Sequence, residues 1–211
     1  MVKNTPFELN HDRYEAWFDK HRNAYLSELL ALRPFVPWEG KGIEIGVGSG
    51  QFAKPLGIQI GIDPSSAMLA HAFERGIEVI KAIAEHLPFT DGYFDFALVV
   101  TTICFVESPT AMLKEASRVL KPNGQLILGF IDKESIIGQD YLKHQNESVF
   151  YREANFISAN EVAQFLLETG FSISSWAQTL SHPLNDINKI EPMQPGYGQD
   201  AFVIVSAANK A

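Results

Sequence analysis

The run Ile43-Glu44-Ile45-Gly46-Val47-Gly48-Ser49-Gly50-Gln51 places a carboxylate in a short apolar stretch and then three glycines at alternate positions. Glycine has no Cβ, so such a turn can take positive φ and let a ligand lie against bare backbone. Glu44 offers a carboxylate there to a group carrying positive charge or hydrogen-bond donors. A second apolar run, Ile58–Ile62, ends in another carboxylate, Asp63. Two acids beside a glycine turn suit an adenosine ligand with a cationic amino acid tail and no phosphates.

The nearest competing pattern is the dinucleotide fingerprint G-x-G-x-x-G, followed by an acid about 20 residues on. Asp63 fits a ribose in both patterns and does not discriminate. The third glycine does, because the dinucleotide pattern needs it at 51, where the chain has Gln51. A carboxylate just ahead of the turn also gains nothing from a pyrophosphate seated on a helix N-terminus. A nicotinamide-dependent oxidoreductase is therefore the lesser alternative.

The remaining candidates for chemistry are weaker. Tyr14, Trp17, Tyr141 and Tyr151 lie in segments outside the main strand–helix rhythm and could wall a ligand pocket, where aromatic faces attract a cationic group. Equally, each could anchor its segment to the core. The histidines (His11, His21, His71, His86, His144, His182) show no metal-ligand spacing, so no metal is expected. His71 and His86 read as solvated surface, and His144 is the best placed of the six as a base. No catalytic residue is assigned. The single Cys104 excludes an internal disulfide and reads as a buried, inert thiol. Gly48-Ser49-Gly50 lacks the spacing of a hydrolase elbow.

These groups need a scaffold. Apolar runs of strand length fall at 42–45, 58–62, 77–80, 94–100, 125–131, 171–176 and 202–206, several of them continuous, as in strands covered on both faces. Helical patterns separate them. Pro64 suits a first helical position, with Met68, Leu69, Ala72 and Phe73 behind it and Gly76 as a stop. Ser108-Pro109 opens a second helix, which exits at Lys121-Pro122-Asn123-Gly124. Ser158-Ala159-Asn160-Glu161 forms a capping box, with Gly170 at the helix end. The alternation implies a doubly wound α/β sheet, mostly parallel. Residues 8–33 read as helical, with a break near Asp19-Lys20-His21-Arg22-Asn23, and 132–157 as irregular and aromatic-rich. Both are candidate covers for the carboxyl edge of the sheet, where open α/β sheets bind ligands. One domain is expected over 1–211: an N-terminal helical cover (8–33), a cofactor-binding core (40–131), a lid (132–157) and a C-terminal helix and strands (158–211).

With 17 basic and 25 acidic residues the net charge is −8, which disfavours a nucleic-acid partner. No stretch approaches transmembrane length and no signal-peptide core opens the chain, so no membrane partner and a cytoplasmic location are expected.

The motifs together resemble the class I S-adenosylmethionine-dependent methyltransferases, in particular the small-molecule, type 11-like branch. The resemblance is carried by the glycine turn, by Gly61-Ile62-Asp63-Pro64-Ser65 with Met68, by Ala84-Glu85-His86-Leu87-Pro88-Phe89 followed by Asp91-Gly92-Tyr93-Phe94-Asp95, and by 115–124. It implies S-adenosylmethionine as cofactor and methyl transfer by in-line displacement to a small-molecule acceptor. It also implies a Rossmann-like seven-stranded sheet in the order 3-2-1-4-5-7-6, with the last strand antiparallel. By the same resemblance, Gly46, Gly48 and Gly50 cradle the methionine moiety and Glu44 meets its ammonium. Asp63 binds the ribose, with Pro64 and Met68 beside it. Ile83, Ala84 and Glu85 surround adenine, with Ile83 standing where the family often has Asp and Glu85 as a substitute. Thr101 and Thr102 lie under the methyl group. The alternative within this family resemblance is a module that binds the cofactor or S-adenosylhomocysteine without turnover.

Overall fold

The structure, a computed structural model, describes residues 6–210. Its strands are β1 (Gly42–Ile45), β2 (Ile60–Asp63), β3 (Glu78–Lys81), β4 (Phe94–Val100), β5 (Leu120–Ile131), β6 (Phe171–Thr179), β7 (Gln194–Pro195) and β8 (Phe202–Asn209). They form one sheet in the order β3-β2-β1-β4-β5-β8-β6-β7. The first five pair in parallel, while β8 runs antiparallel between β5 and β6. The order is the expected one with a two-residue strand, β7, added at the edge beside β6. Gln194-Pro195 carries no apolar run, so no strand pattern marks it.

The helices are α1 (Pro6–Leu9), α2 (His11–Lys20), α3 (Arg22–Leu32), α4 (Ala53–Leu56), α5 (Ser66–Glu74), α6 (Pro109–Val119), α7 (Ile136–Lys143) and α8 (Ala159–Glu168). Side chains alternate across each strand, so β4 feeds two cores. Ala97 and Val99 meet Met112 and Leu113 of α6 and Val162 and Leu166 of α8. Phe96, Leu98 and Val100 meet Leu32 of α3, Leu56 of α4 and Leu69 and Ala72 of α5. The 94–100 run is continuous because both faces are buried.

Several local readings hold. The N-terminal helical region breaks at His21, between α2 and α3. Ser108 caps α6, with Pro109 in its first turn, and the Ser158–Glu161 capping box is formed. Others need correction. Ser65, not Pro64, precedes α5, because its hydroxyl accepts the Met68 N–H and caps the helix. Phe73 is 68% exposed rather than part of the buried face. Residues 132–157 are not irregular throughout: Ser135 caps α7, and a 3-10 turn spans Gln145–Glu147. No helix among the described residues is long and apolar enough to cross a membrane.

Candidate active site

The carboxyl ends of β1, β2, β4 and β5 converge on the glycine turn. The Gly46 and Val47 N–H groups both donate to Ile62 C=O, at 2.9 and 2.8 Å, and tie the turn to β2. A Cβ on Gly46 would lie 2.2 Å from Thr102 Oγ1, so the exit of β4 packs directly on the turn. Gly50 has a different task. At φ +84°, its Cβ would sit 2.4 Å from Ile77 Cδ1, so its role is to seat the turn against the core rather than to face a ligand.

Glu44 is 1% exposed. Its carboxylate accepts the Ala53 N–H, and burial holds its carboxyl well above the usual carboxylate range. Its Oε2 has no hydrogen-bond partner. A buried, half-satisfied carboxylate at a glycine turn calls for a donor, and an ammonium supplies one. Asp63 Oδ2 accepts the Gly48 N–H at 3.0 Å, and its Oδ1 accepts the Ser65 N–H at 2.8 Å. Each oxygen keeps a lone pair for a ribose hydroxyl. Burial pushes this carboxyl up to about 6.

The other expected cofactor residues divide. Pro64 lies in the turn between Asp63 and the Ser65 cap, whereas Met68 is buried at 1% exposure and packs in the core. Ile83 is 45% exposed, and its C=O accepts the His86 N–H in a tight turn that ends over buried Ala84. Glu85 Oε1 accepts the N–H groups of Glu107 and Ser108 at 2.7 and 3.3 Å. It braces the loop ahead of α6, which argues against its use as the adenine reader. Thr101 takes φ +48°, a conformation costly for a β-branched residue, and its N–H donates to Gly129 C=O. Thr102 Oγ1 donates to Val100 C=O.

Beside Thr101 lies a pocket lined by Ile103, Cys104, Phe130, Ile131, Tyr151 and Phe156 among others, with about 10 Å³ for a water's centre. That is room for roughly one water. Burial pushes the Cys104 thiol up to about 12, as an inert thiol requires. Aromatic rings continue the wall. Tyr141 stacks on Tyr151 at 4.9 Å and Tyr151 on Phe105 at 5.7 Å. Phe7 meets Phe105, Phe150 and Tyr14, and the Tyr14 hydroxyl approaches Gly48. Trp17 is not part of this row; its ring packs on Phe18 and on His21, at the edge of a separate polar cleft. His144 is half-exposed and bonded within its own helical turn to Asp140, which leaves it poorly placed as a base.

The N-terminal helices are fastened over the turn by polar contacts. Glu8 accepts from Ser65 Oγ and the Ala67 N–H, while Glu15 accepts from Gln51 Nε2 and pairs with Arg75. Arg75 donates to Ser49 C=O, and Tyr25 Oη donates to Gln51 C=O at 2.6 Å.

One acid escapes the sequence reading. Glu28 of α3 is 4% exposed and has no ion pair or hydrogen-bond partner among the described residues. It shares a helix face with Tyr25, which bonds the glycine turn, and with Leu32, which approaches Gly129 of β5. Its charge is felt by Tyr14, Tyr25, Tyr141 and Tyr151, which puts it within electrostatic reach of the aromatic wall. Burial alone pushes its carboxyl up to about 8. A lone acid on an otherwise apolar face, in Tyr25-Leu26-Ser27-Glu28-Leu29-Leu30, is the signal that could have revealed it.

Residues 43–128 match the methyltransferase domain family. A Thermotoga maritima structure, described as an S-adenosylmethionine-dependent methyltransferase and possible histamine N-methyltransferase, is 48% identical, covers 97% of this chain and 99% of its own, and superposes with a TM-score of 0.94. The chain belongs to the S-adenosylmethionine-dependent methyltransferases. An uncharacterized protein of Methanocaldococcus jannaschii is 44% identical across 95% of this methyltransferase and 97% of its own length. A ubiquinone biosynthesis O-methyltransferase of Burkholderia vietnamiensis is 27% identical over 87% and 90% of the two chains. S-adenosylmethionine is therefore the cofactor, and the unpartnered Glu44 Oε2 and the spare lone pairs of Asp63 fit its ammonium and ribose. Bound there, it supplies a methyl group activated by a sulfonium.

Proposed function

We propose that this methyltransferase acts on a small acceptor bearing an amine, which sits between Thr101 and the aromatic wall and is held by Glu28. The observation that carries this reading is the buried, unpartnered Glu28 carboxylate, whose charge reaches Tyr14, Tyr141 and Tyr151. A protonated amine has no lone pair with which to attack. A carboxylate of raised proton affinity binds the ammonium, accepts its proton and leaves the neutral amine aligned. The aromatic faces stabilise the cationic forms at about 0.5–2 kcal/mol per contact and keep water out. Orientation alone can supply roughly 7–11 kcal/mol of such a barrier. The net charge of −8 suits a cationic metabolite better than a nucleic acid. The Thermotoga protein's description as a possible histamine N-methyltransferase points the same way, whereas the Burkholderia relative's O-methylation points to a hydroxyl acceptor.

In this reading residues 8–33 form a cover, 40–131 the cofactor-binding core, 132–157 a lid and 158–211 its support. The lid must shift, since Tyr151 and Phe156 leave space for about one water. A filled pocket is also what a cofactor-binding module without turnover would have, and turnover decides between them.

The test is transfer of labelled methyl from S-adenosylmethionine to panels of small primary and heteroaromatic amines, with phenols and carboxylic acids alongside. Labelled amines are expected, with kcat/KM rising as the pH passes through about 8, where Glu28 ionises. Glu28→Gln should lose that limb and at least about 100-fold of kcat/KM. Labelling of phenols alone, with Glu28→Gln fully active, would overturn the reading.

A further inference from the structure

Outside this site, the fold brings together three metal-ligating side chains that the sequence separates. His11 and Asp12 open α2, and His71 lies on α5, where the helices meet. His11 Nδ1 stands 3.2 Å from His71 Nε2 and 3.2 Å from Asp12 Oδ1. All three donor atoms fall within 4.8 Å of one another. A tetrahedral ion with bonds of about 2.0–2.1 Å to nitrogen sets neighbouring donors roughly 3.3 Å apart, so the two imidazoles already hold the spacing of ligands on a common cation.

The surroundings agree. Glu74 Oε2 is 3.8 Å from the other ring nitrogen of His71, close enough for a small side-chain shift to bring it into hydrogen-bond reach of a ligating imidazole. The histidine side chains are 36% and 29% exposed, which leaves an entry path and a fourth position for water. Two imidazoles and a carboxylate suit zinc, nickel or copper rather than calcium or magnesium.

We propose that His11, Asp12 and His71 form a zinc-class divalent metal site that staples the N-terminal helices to the cofactor-binding half of the molecule. The ion adds to the Glu8–Ser65 and Glu15–Arg75 contacts that hold α1 and α2 over the glycine turn.

Calorimetric titration of the untagged full chain with Zn²⁺ tests this without recourse to turnover. One ion per chain is expected at micromolar affinity, weakened at least about tenfold in both His71→Ala and His11→Gln. Co²⁺ in place of zinc should give the visible bands of a four-coordinate site, absent from both variants. Unchanged metal-free melting temperatures would show that both variants fold. Equal zinc affinity in native protein and variants, or no binding below millimolar zinc, overturns the proposal.

Discussion

Three buried or half-buried acids, Glu44, Asp63 and Glu28, differ in what each has left to bind. Glu44 Oε2 has no hydrogen-bond partner, Asp63 keeps acceptor capacity beyond its two backbone bonds, and Glu28 is the acid proposed to hold the acceptor. Asp63→Ala removes charge-assisted hydrogen bonds of roughly 1.5–3 kcal/mol. S-adenosylhomocysteine affinity, measured by titration, should fall at least about tenfold. Glu28 carries a cost that can be read in stability. Burial pushes its carboxyl up to about 8 in the folded chain, against about 4.3 for a solvated glutamate. The folded state therefore holds a proton that the unfolded state releases, and stability falls as the pH rises through that window. Glu28→Gln should match native stability at pH 4.5 and exceed it by at least about 1 kcal/mol at pH 8.5, seen as a higher melting temperature. A flat difference between the two pH values would contradict the burial assigned to it. Glu44 and Asp63 were legible in sequence because each lies at or near the end of an apolar run. Glu28 was not, because a glutamate within a helical pattern reads as a solvated position until the fold shows which face it occupies.

The central strands were legible, since 96–100 stays apolar where both faces are buried, but β5 begins at Leu120 and takes in the stretch read as a helix exit, and β7 carries no apolar run. Helix α7 was not, because Gly138 stands inside it. That glycine is needed where the helix meets its own entry: a Cβ there would lie 2.1 Å from Asp132 C=O. Fold-level contact thus wrote a helix-weakening residue into a helix. Gly50 is similar, appearing in the motif as a ligand position while its constraint comes from Ile77. Gly50→Ala should cost about 1–3 kcal/mol in denaturant unfolding, from strain at positive φ and overpacking. The segment carrying Tyr151 makes a separate prediction. Tyr151 stacks between Tyr141 and Phe105 and lines the small cavity beside Thr101, where the proposed acceptor would sit. Tyr151→Ala should lower kcat/KM for the acceptor about tenfold or more while S-adenosylhomocysteine affinity changes less than about threefold. Equal losses would make the ring part of the cofactor site.

Across the molecule, the sheet order follows the family resemblance, since periodicity carries no information on which strands are neighbours. The aromatic wall was the least legible part. Its rings come from α1, α2, the loop after β4 and the segment around α7, and they share no local motif. Long-range contacts also hold α3 in place: the Glu191 N–H donates to Ser27 Oγ at 2.8 Å, beside Glu28. The polar fastenings from Glu8, Glu15 and Tyr25 join this assembly to the glycine turn. The most direct test of that site is a calorimetric titration with S-adenosylhomocysteine, with oxidised nicotinamide dinucleotide as control, on the native chain and on Asp63→Ala. Micromolar binding of S-adenosylhomocysteine alone, lost by at least about tenfold in the variant, is the predicted result. Binding of the dinucleotide, or equal S-adenosylhomocysteine affinity in a folded Asp63→Ala, would contradict the site described.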